Sequence, residues 1–315
     1  MRPRRVGITL GDPGGIGPEI VVKALAGPAS FPAAQFILFG HAGLVEREER
    51  SGGLTLDRAR ISVRDIDSAV APSRRGAADP GNGLASFRFF EAAVRAAREG
   101  EVDALATAPI SKHAWALAGL SWRGHTEFLE SLYPDAIMTF WSKKMTVALF
   151  THHISMAEAV RKVTRDNLVR FFLALSGSFE RARPGTYQFV VAGLNPHAGE
   201  NGLLGREEED EVVPAVAEVR ARGLNIRGPY PPDVVFREAL GHPGKIVVAL
   251  YHDQGLIPFK LSSFETGVNI TLGMPFVRTS PDHGTAFDIA GRNAADPTSM
   301  AEAIRLAVEL SPGPL

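Results

Sequence analysis

The sequence predicts an α/β fold in which a mostly parallel sheet has helices on both faces. Short apolar runs alternate along the chain with longer segments of helical periodicity. Several of these runs end at polar residues, as expected where parallel strands leave an open sheet. The length of 315 residues suggests about two domains. Since neither a repeat nor a Pro/Ser-rich linker is present, the chain is expected to cross between them more than once.

The individual elements follow from these patterns. Pro18 suits the first position of a helix and Glu19 suits the positive end of its dipole, so a helix begins after the turn at 11–19. The segment 51–80 is rich in loop residues, and Pro214 interrupts a charged helix over 207–222. The predicted strands are 6–10, 35–40, 60–64, 103–107, 145–150, 188–192 and 246–250, and the other predicted helices are 81–99, one that opens at 122–129, 156–179 and 298–310.

Composition excludes several classes of protein. The net charge of -1 gives no basis for nucleic acid or an anionic membrane as a partner. Cysteine is absent, which excludes disulfides, thiolate metal sites and cysteine nucleophiles. No apolar run approaches the roughly 20 residues of a membrane helix, and the run at 6–10 is too short for a signal peptide. The expected location is the cytoplasm.

Three histidines share one sequence context, because each follows an apolar strand at the point where the strand ends. They are His152, His197 and His252. If the strands are parallel neighbours, the three imidazoles gather at one edge and suit Zn²⁺ or another divalent first-row ion used in catalysis. The alternative is that strand-end histidines only cap or pack, and the sequence does not distinguish His152 from His153. Asp233 and Asp253 are candidates either for orienting a histidine or for solvated carboxylates.

Two glycine-rich segments are candidates for nucleotide binding. Residues 11–19 (GDPGGIGPE) do not match G-x-G-x-x-G, and the strand at 35–40 lacks the acidic residue that holds a ribose. A tight strand-to-helix turn near a ligand is therefore predicted there. In the second segment, 283–291 (HGTAFDIAG), Asp288 supplies a carboxylate for ribose hydroxyls, which repels a 2′-phosphate and favours NAD over NADP. The alternative for this segment is an ordinary surface turn.

These motifs together resemble the 4-hydroxythreonine-4-phosphate dehydrogenase family of vitamin B6 biosynthesis over nearly the whole chain. The residues at 15–19 and 288–291 also resemble those of isocitrate and isopropylmalate dehydrogenases. One departure follows the first candidate ligand, where the family has an apolar residue and then proline, and this chain has His153-Ile154-Ser155. The family motifs are GDPGGIGPE at 11–19, TAPISK at 107–112, GHTEF at 124–128, LNPHAGE at 194–200, YHDQGLIPFK at 251–260 and DHGTAFDIAG at 282–291.

The second resemblance implies the fold of isocitrate and isopropylmalate dehydrogenases. That fold has two α/β domains, one of them formed from both chain ends, in a homodimer whose active sites lie in the interdomain cleft near the interface. On this basis residues 1–120 with 270–315 form the cofactor-side domain. Residues 121–269 form the domain for metal, substrate and dimerisation.

The family resemblance also implies site residues and cofactors. His152, His197 and His252 become the metal ligands, which selects His152 over His153, and together with Lys260 they form the catalytic set. NAD and one divalent ion per site (Zn, Mg, Mn or Co) are the implied cofactors. Lys260 either holds an anionic oxygen or moves a proton, and both roles stay open. The implied substrate-binding residues are His125, Thr126, Lys260, Asn269 and Arg278, and the implied cofactor-binding residues are His283, Gly284, Thr285, Ala286 and Asp288.

The implied reaction is the oxidation of 4-phosphohydroxy-L-threonine by NAD⁺ to a 2-amino-3-oxo acid, which decarboxylates to 3-amino-2-oxopropyl phosphate. The nearest alternative is a sister dehydrogenase acting on 4-phosphothreonate, 4-phosphoerythronate or a cis-dihydrodiol acid, since such enzymes share these motifs. Three other classes are weaker alternatives. A three-histidine metallohydrolase needs no nucleotide, a phosphate acyltransferase needs neither the histidines nor the Asp288 loop, and a binding protein needs no convergence of reactive groups.

Overall fold

The structure of the protein is a computed structural model that describes residues 2–27, 31–66 and 75–311. Residues 67–74 of the loop-rich segment predicted at 51–80, and the ends of the predicted domain range 1–120 with 270–315, lie outside the described residues. Within the described ranges, no helix has the length and apolar character needed to cross a membrane.

Helices and strands alternate along most of the chain, which confirms the predicted α/β class. A 3₁₀ turn at Pro196–Gly199 and a π-helical turn at Glu208–Val212 interrupt the pattern. In chain order the elements are β1 (Arg4–Thr9), α1 (Gly17–Ala26), β2 (Ala34–Gly40), α2 (Ala42–Gly52), β3 (Ile61–Asp65), α3 (Pro80–Arg98), β4 (Ala104–Thr107), α4 (Lys112–Leu117), α5 (His125–Leu132), β5 (Ile137–Trp141), β6 (Thr146–Leu149), α6 (Met156–Lys162), α7 (Arg165–Ala182), β7 (Gln188–Ala192), α8 (Val213–Ala221), β8 (Ile226–Tyr230), α9 (Pro232–Ala239), β9 (Lys245–Ala249), α10 (His252–Ser263), β10 (Val268–Leu272), β11 (Val277–Pro281) and α11 (Thr298–Leu310).

The chain divides into two compact units. Unit 1 is Met1–Pro134 with Met274–Leu315, and unit 2 is Asp135–Gly273. The first crossing therefore follows residue 134 and not residue 120, because α5 packs with unit 1. Phe128 of α5 lies 5.5 Å from Phe87 of α3 and 4.9 Å from Trp122, measured between ring centroids. His125, at the start of α5, consequently belongs to unit 1.

The strands of unit 1 lie in the order β3-β2-β1-β4-β11, and each neighbouring pair is parallel. This arrangement agrees with the predicted parallel sheet. Fully buried side chains such as Ile8 of β1, Ile20 of α1 and Ile304 of α11 join the sheet to its helices. Their burial removes apolar surface from water, which is the main stabilising term for such a core.

The strands of unit 2 lie in the order β10-β5-β6-β9-β7-β8. The pairs from β6 to β8 are parallel, whereas β5 is antiparallel to both β10 and β6. The strand pairs are thus mostly parallel, as predicted, and the antiparallel pairs of this unit are those of β5. A local apolar pattern does not indicate the direction of a strand. The partners and direction of β5 are set by tertiary packing.

Two predicted helices differ in the structure. The helix predicted at 156–179 is wrong as a single element, since Thr164 has extended backbone (φ -126°, ψ 150°) and separates α6 from α7. The helix predicted at 207–222 begins as the π-helical turn and continues as α8. Pro214 lies in the first turn of α8, directly after the π-helical turn, and has no N–H to donate to the preceding turn.

Candidate active site

In unit 2, the three strands that precede the predicted metal ligands are parallel neighbours, as the sequence predicts. β9 lies between β6 and β7 and pairs in parallel with both. The last four residues of each strand are buried, as expected for apolar strands inside a covered sheet. Their carboxyl ends share one edge, and the segments that follow carry His152, His252 and His197.

Two side chains tie the ends of these three strands together. Thr151, after β6, donates a hydrogen bond from Oγ1 to the carbonyl of Leu250 at 2.7 Å. Gln254 accepts from the N–H of Leu250 at 2.7 Å and donates from Nε2 to the carbonyl of Gly193, after β7, at 2.6 Å. Thr151 and Gln254 are both buried. The strand exits that carry the histidines are therefore fixed by side-chain hydrogen bonds as well as by the sheet.

Two of the three histidines are oriented by a carboxylate. His252, the first residue of α10, donates from Nδ1 to Asp253 Oδ1 at 2.7 Å. His197 has a φ of +52° and donates from Nδ1 to Glu200 Oε2 at 2.8 Å. In each neutral ring this bond leaves the lone pair on Nε2, which is the common arrangement of a metal-binding histidine. Nε2 of each of these two rings is therefore available as a candidate metal ligand.

The turn that carries His197 is built around a buried carboxylate. Glu208, 2% exposed, accepts backbone hydrogen bonds from Leu194 and Asn195, both at 2.7 Å. Gly199 approaches the same carboxylate, since a Cβ placed there would lie 2.8 Å from Glu208 Oε2. This close approach and a φ of +84° both require glycine. The conformation around His197 is therefore imposed by residues of its own unit.

His152 and His252 line one open cavity together with His153. The ring centroids of His152 and His153 are 5.2 Å apart, and those of His153 and His252 are 5.7 Å apart. Within the described residues, no three His, Asp or Glu side chains are grouped closely enough to hold a metal ion. The three-histidine site therefore stays a prediction. The cavity is lined by Thr151, His152, His153, Ile154, Met156, Ala159, Tyr251, His252 and Asp253.

Unit 1 contains a buried cation with no carboxylate partner among the described residues. Arg278 of β11 is 4% exposed. Its Nε donates to Thr107 Oγ1 at 2.8 Å, and its Nη2 donates to His125 Nδ1 at 2.9 Å. Burial lowers the pKa of Arg278 to about 9, which leaves the guanidinium charged at neutral pH. A buried charge of this kind is costly unless an anion pairs with it.

The hydrogen bond from Arg278 determines the tautomer of His125. Burial lowers the pKa of His125 well below its usual 6.5, and the charge of Arg278 lowers it further. Because a guanidinium only donates, Nδ1 accepts, and the proton of the neutral ring lies on Nε2. Phe90 packs on the ring with centroids 4.2 Å apart. The buried Nε2 has no hydrogen-bond partner in the described structure, so this N–H can bind a ligand oxygen.

The other predicted substrate contacts are divided between the two units. Thr126 follows His125 in α5 of unit 1. Lys260 lies in α10 and Asn269 in β10 of unit 2, and both are partly buried. Asn269 Oδ1 is buried and has no hydrogen-bond partner in the described structure. Asp233, the other candidate for orienting a histidine, is exposed at the start of α9.

The predicted cofactor segment lies after β11 and packs against the glycine turn of unit 1. Ile16 donates its N–H to the carbonyl of Thr285 at 3.0 Å. A Cβ at Gly15 would lie 2.8 Å from both Cβ and O of Thr285, so only glycine permits this contact. Asp288 is exposed. The predicted cofactor residues in this one loop are His283, Gly284, Thr285, Ala286 and Asp288.

Sequence reasoning missed three residues that shape these sites. Glu200 orients His197, and Thr107 holds Arg278. Asp12 is fully buried in the glycine turn, where Oδ1 accepts from the N–H of Gly14 at 2.8 Å and Oδ2 has no partner. Burial raises the pKa of Asp12 to about 6. The spacing of three residues between His197 and Glu200 was the only local signal for any of these roles.

Comparison with known proteins identifies the family. The family model of the pyridoxal phosphate biosynthetic protein PdxA matches residues 33–307, which is most of the chain. The chain belongs to the PdxA family. The D-threonate 4-phosphate dehydrogenase of Cupriavidus necator is 39% identical, with 97% of each chain covered. The crystal structure of 4-hydroxythreonine-4-phosphate dehydrogenase from Klebsiella pneumoniae has a TM-score of 0.86 and 39% identity, and the match covers 98% of this chain and 99% of that one.

A more distant comparison concerns the fold alone. The isocitrate dehydrogenase of Methylococcus capsulatus has a TM-score of 0.50 and 15% identity, over 97% of this chain and 85% of that one. The predicted isocitrate dehydrogenase-like fold class is thereby confirmed. Within the PdxA family, the two relatives of equal identity are named for different substrates. Family membership alone therefore leaves the choice between those substrates open.

Proposed function

We propose that this PdxA-family protein is a dehydrogenase that uses NAD⁺ and a divalent metal ion to oxidise 4-phosphohydroxy-L-threonine. The observation that carries the proposal is the pairing of Arg278 with His125, which places a buried cation and a buried N–H donor together without an anion of their own. The names of the relatives, both dehydrogenases of phosphorylated hydroxy acids, support the reaction class.

Unit 1 supplies the anion receptor of this proposal. The guanidinium of Arg278 is held by Thr107 and His125, so its remaining N–H groups bind an anionic oxygen of the substrate in a fixed direction. His125 stays neutral and donates from Nε2, which adds a hydrogen bond without adding a second buried charge. The pair therefore selects a substrate that carries a phosphate or carboxylate group.

Unit 2 supplies the residues for the metal and for the proton. His152, His197 and His252 would hold the ion, and Asp253 and Glu200 orient two of their rings. A divalent ion lowers the pKa of a bound hydroxyl group and stabilises negative charge on oxygen. Lys260, about two turns along the helix that begins at His252, provides an ammonium group for an anionic oxygen or for proton transfer.

The loop after β11 supplies the cofactor site. The contact between Thr285 and Gly15 brings the backbone of this loop close to the glycine turn. Asp288 offers an exposed carboxylate to ribose hydroxyls. The substrate alcohol gives a hydride to NAD⁺ and a proton to a base, which yields NADH and a 2-amino-3-oxo acid. That acid then loses CO₂ to give 3-amino-2-oxopropyl phosphate.

The proposal includes a homodimer in the cytoplasm. Three large apolar side chains on α10 and its C-terminal cap, at spacings of four and three residues, are exposed: Ile257 (59%), Leu261 (85%) and Phe264 (72%). Such a stripe on one helix face is typical of a surface that packs against another helix. A second copy of the chain is the proposed occupant.

The second candidate substrate is D-threonate 4-phosphate. The specific observation in its favour is the relative from Cupriavidus necator, which bears that name at 39% identity over 97% of the chain. The two candidates differ at carbon 2, where one has an amino group and the other a hydroxyl. Both carry the anionic groups that Arg278 and His125 select.

The test follows the appearance of NADH absorbance with each substrate, before and after treatment with a chelator. We expect activity with 4-phosphohydroxy-L-threonine that the chelator abolishes and added divalent ion restores. Faster metal-dependent turnover of D-threonate 4-phosphate would favour the second candidate. Absence of NADH formation with both substrates in metal-loaded protein would refute the proposed function.

A further inference from the structure

A second group of charged residues lies in unit 1, outside the residues assigned above. Arg47 of α2 donates from Nε to Glu48 Oε1 at 2.8 Å, and Arg75 donates from Nη2 to the same oxygen. Glu48 is 4% exposed, and the side chains of Arg47 and Arg75 are each 27% exposed. Neither arginine pairs with another carboxylate in the described parts of the chain. Two cations therefore share one anion, which leaves one positive charge in excess.

The two arginines, called here the Arg47–Arg75 pair, also have more donors than acceptors. Arg47 Nη2 and Arg75 Nε are buried and have no hydrogen-bond partner in the described structure. Burial lowers the pKa of Arg47; Glu48 opposes this shift and Arg75 adds to it. Native proteins satisfy nearly all buried donors, so an unsatisfied pair of neighbouring guanidinium groups calls for an explanation. Their excess charge and free donors are those of an anion-binding site.

The Arg47–Arg75 pair lies against the segments proposed to hold the nucleotide. A Cβ placed at Gly291 would lie 2.8 Å from Arg75 Nη1, so the arginine passes directly over the end of the cofactor loop. The next residue, Gly76, donates its N–H to the carbonyl of Gly14 at 2.9 Å. A Cβ at Gly76 would lie 3.1 Å from the carbonyl oxygen of Phe287. The segment of Arg75 thus touches both the glycine turn and the cofactor loop.

We propose that the Arg47–Arg75 pair is a phosphate-binding subsite for the nucleotide cofactor. Guanidinium groups present a planar fork of donors that matches phosphate oxygens. The one positive charge that Glu48 leaves in excess offsets part of the negative charge of a bound phosphate. The phosphate is either the 2′-phosphate of NADP⁺ or the pyrophosphate common to NAD⁺ and NADP⁺. The inference rests on the proposed function, because it assigns the loop at 283–291 to a nucleotide. If the 2′-phosphate is the ligand, the pair counteracts the repulsion expected from Asp288.

The test measures the dissociation constants of NAD⁺ and NADP⁺ by calorimetry on the full chain and on Arg47→Gln and Arg75→Gln. Each substitution removes a charged donor, so we expect binding to weaken by about tenfold or more. Arg50→Gln is the matched control, since Arg50 is on the same helix, is 73% exposed and, among the described residues, forms an ion pair with Glu46 alone at 3.8 Å. Weaker binding of NADP⁺ alone identifies the 2′-phosphate, and equal weakening for both nucleotides identifies the pyrophosphate.

A second measurement does not depend on the variants being folded. On the unmodified protein, 2′-AMP or ADP should bind about tenfold tighter than adenosine, because only the phosphorylated compounds reach the arginines. Arg75→Lys, which keeps the charge and loses the fork, should bind with intermediate affinity. Unchanged nucleotide binding in folded Arg47→Gln and Arg75→Gln, or no advantage of either phosphorylated compound over adenosine, would overturn the subsite. Failure of the unmodified protein to bind NAD⁺ or NADP⁺ would instead overturn the proposed function.

Discussion

Arg278 Nη2 and His125 Nδ1 are 2.9 Å apart, and this contact joins β11 to α5 inside unit 1. It fixes the direction of the guanidinium and the protonation of the imidazole at the same time. Phe90 and Trp115 pack against the ring of His125. The proposed function uses the contact between Arg278 and His125 as a receptor for an anion.

Replacing Arg278 by lysine should lower kcat/KM for the phosphorylated substrate by about 10- to 100-fold. The ammonium group keeps the charge, but it cannot donate to Thr107, His125 and a ligand in the planar geometry of the fork. Steady-state kinetics measure the effect, and the melting temperature shows whether the variant is folded. Lys143→Arg, the reverse exchange at an exposed position of unit 2, is the control. An unchanged kcat/KM in Arg278→Lys would contradict the receptor role.

Replacing Glu200 by glutamine should weaken divalent-metal binding by about 10- to 100-fold while His197 itself is retained. The carboxylate accepts from Nδ1 of His197 at 2.8 Å and so leaves Nε2 for the proposed metal ion. Calorimetric titration of metal-free protein with Zn²⁺ or Co²⁺ measures the affinity. Glu209→Gln provides the matched control, because Glu209 is nearby in sequence and pairs with Arg206. Equal affinities for the Glu200 and Glu209 variants would argue against His197 as a ligand.

Asp12 should make the protein less stable as the pH rises from about 4 to about 7. The pKa of Asp12 is about 6 in the folded protein, whereas an aspartate in an unfolded chain has a pKa of 3.8. Between these values the folded protein keeps the proton that the unfolded chain has lost, so the free energy of unfolding falls with rising pH. Above the pKa of the folded protein, the loss of stability is complete. The difference between the two pKa values corresponds to about 3 kcal/mol of unfolding free energy.

The variant Asp12→Asn tests this dependence. Its amide oxygen still accepts from Gly14, but the side chain no longer ionises. Relative to the unmodified protein, the variant should gain about 3 kcal/mol in unfolding free energy between pH of about 4 and about 7. Urea unfolding at several pH values provides the measurement. A constant difference between the two proteins across this range would show that Asp12 does not titrate as described.

Replacing Leu261 by glutamate should dissociate the proposed homodimer. Leu261 is 85% exposed and lies between Ile257 and Phe264 on α10, so a charge there would be buried at the contact without a partner. Sedimentation velocity distinguishes dimer from monomer. Leu117→Glu, at a half-exposed position of α4 in unit 1, is the control. A monomeric unmodified protein, or a dimeric Leu261→Glu variant, would refute α10 as the interface.

Much of the histidine edge was predictable because its signals are local. Apolar runs at 145–150, 188–192 and 246–250 each precede a histidine, and the parallel pairing of β6, β9 and β7 confirms the strand arrangement expected from them. The start of α10 at His252 was not predicted, since Gly255 and Pro258 weaken its helical pattern. Contacts between distant residues carry no local signal at all. Arg278 with Thr107 is such a pair, separated by 171 positions.

The glycine turn at 11–19 is a second case in which a local feature was predictable and its surroundings were not. Its sequence predicts a tight turn into a helix, and α1 begins at Gly17 with proline in its first turn. The partner of that turn is invisible in the sequence, because Thr285 comes from the far end of the chain. Asp12 is buried beside a different distant segment, because its N–H donates to the carbonyl of Pro109 at 2.9 Å. A local pattern thus identifies a turn, whereas its environment depends on which distant loop covers it.

Gln254 has a consequence for the proposed metal site. One amide group bridges the exits of β9 and β7 and so sets the span between the segments of His252 and His197. A substitution at position 254 would remove this bridge without changing either histidine. If the proposed metal is held by these histidines, position 254 would influence its binding from outside the ligand set, which makes it a position to vary in engineering.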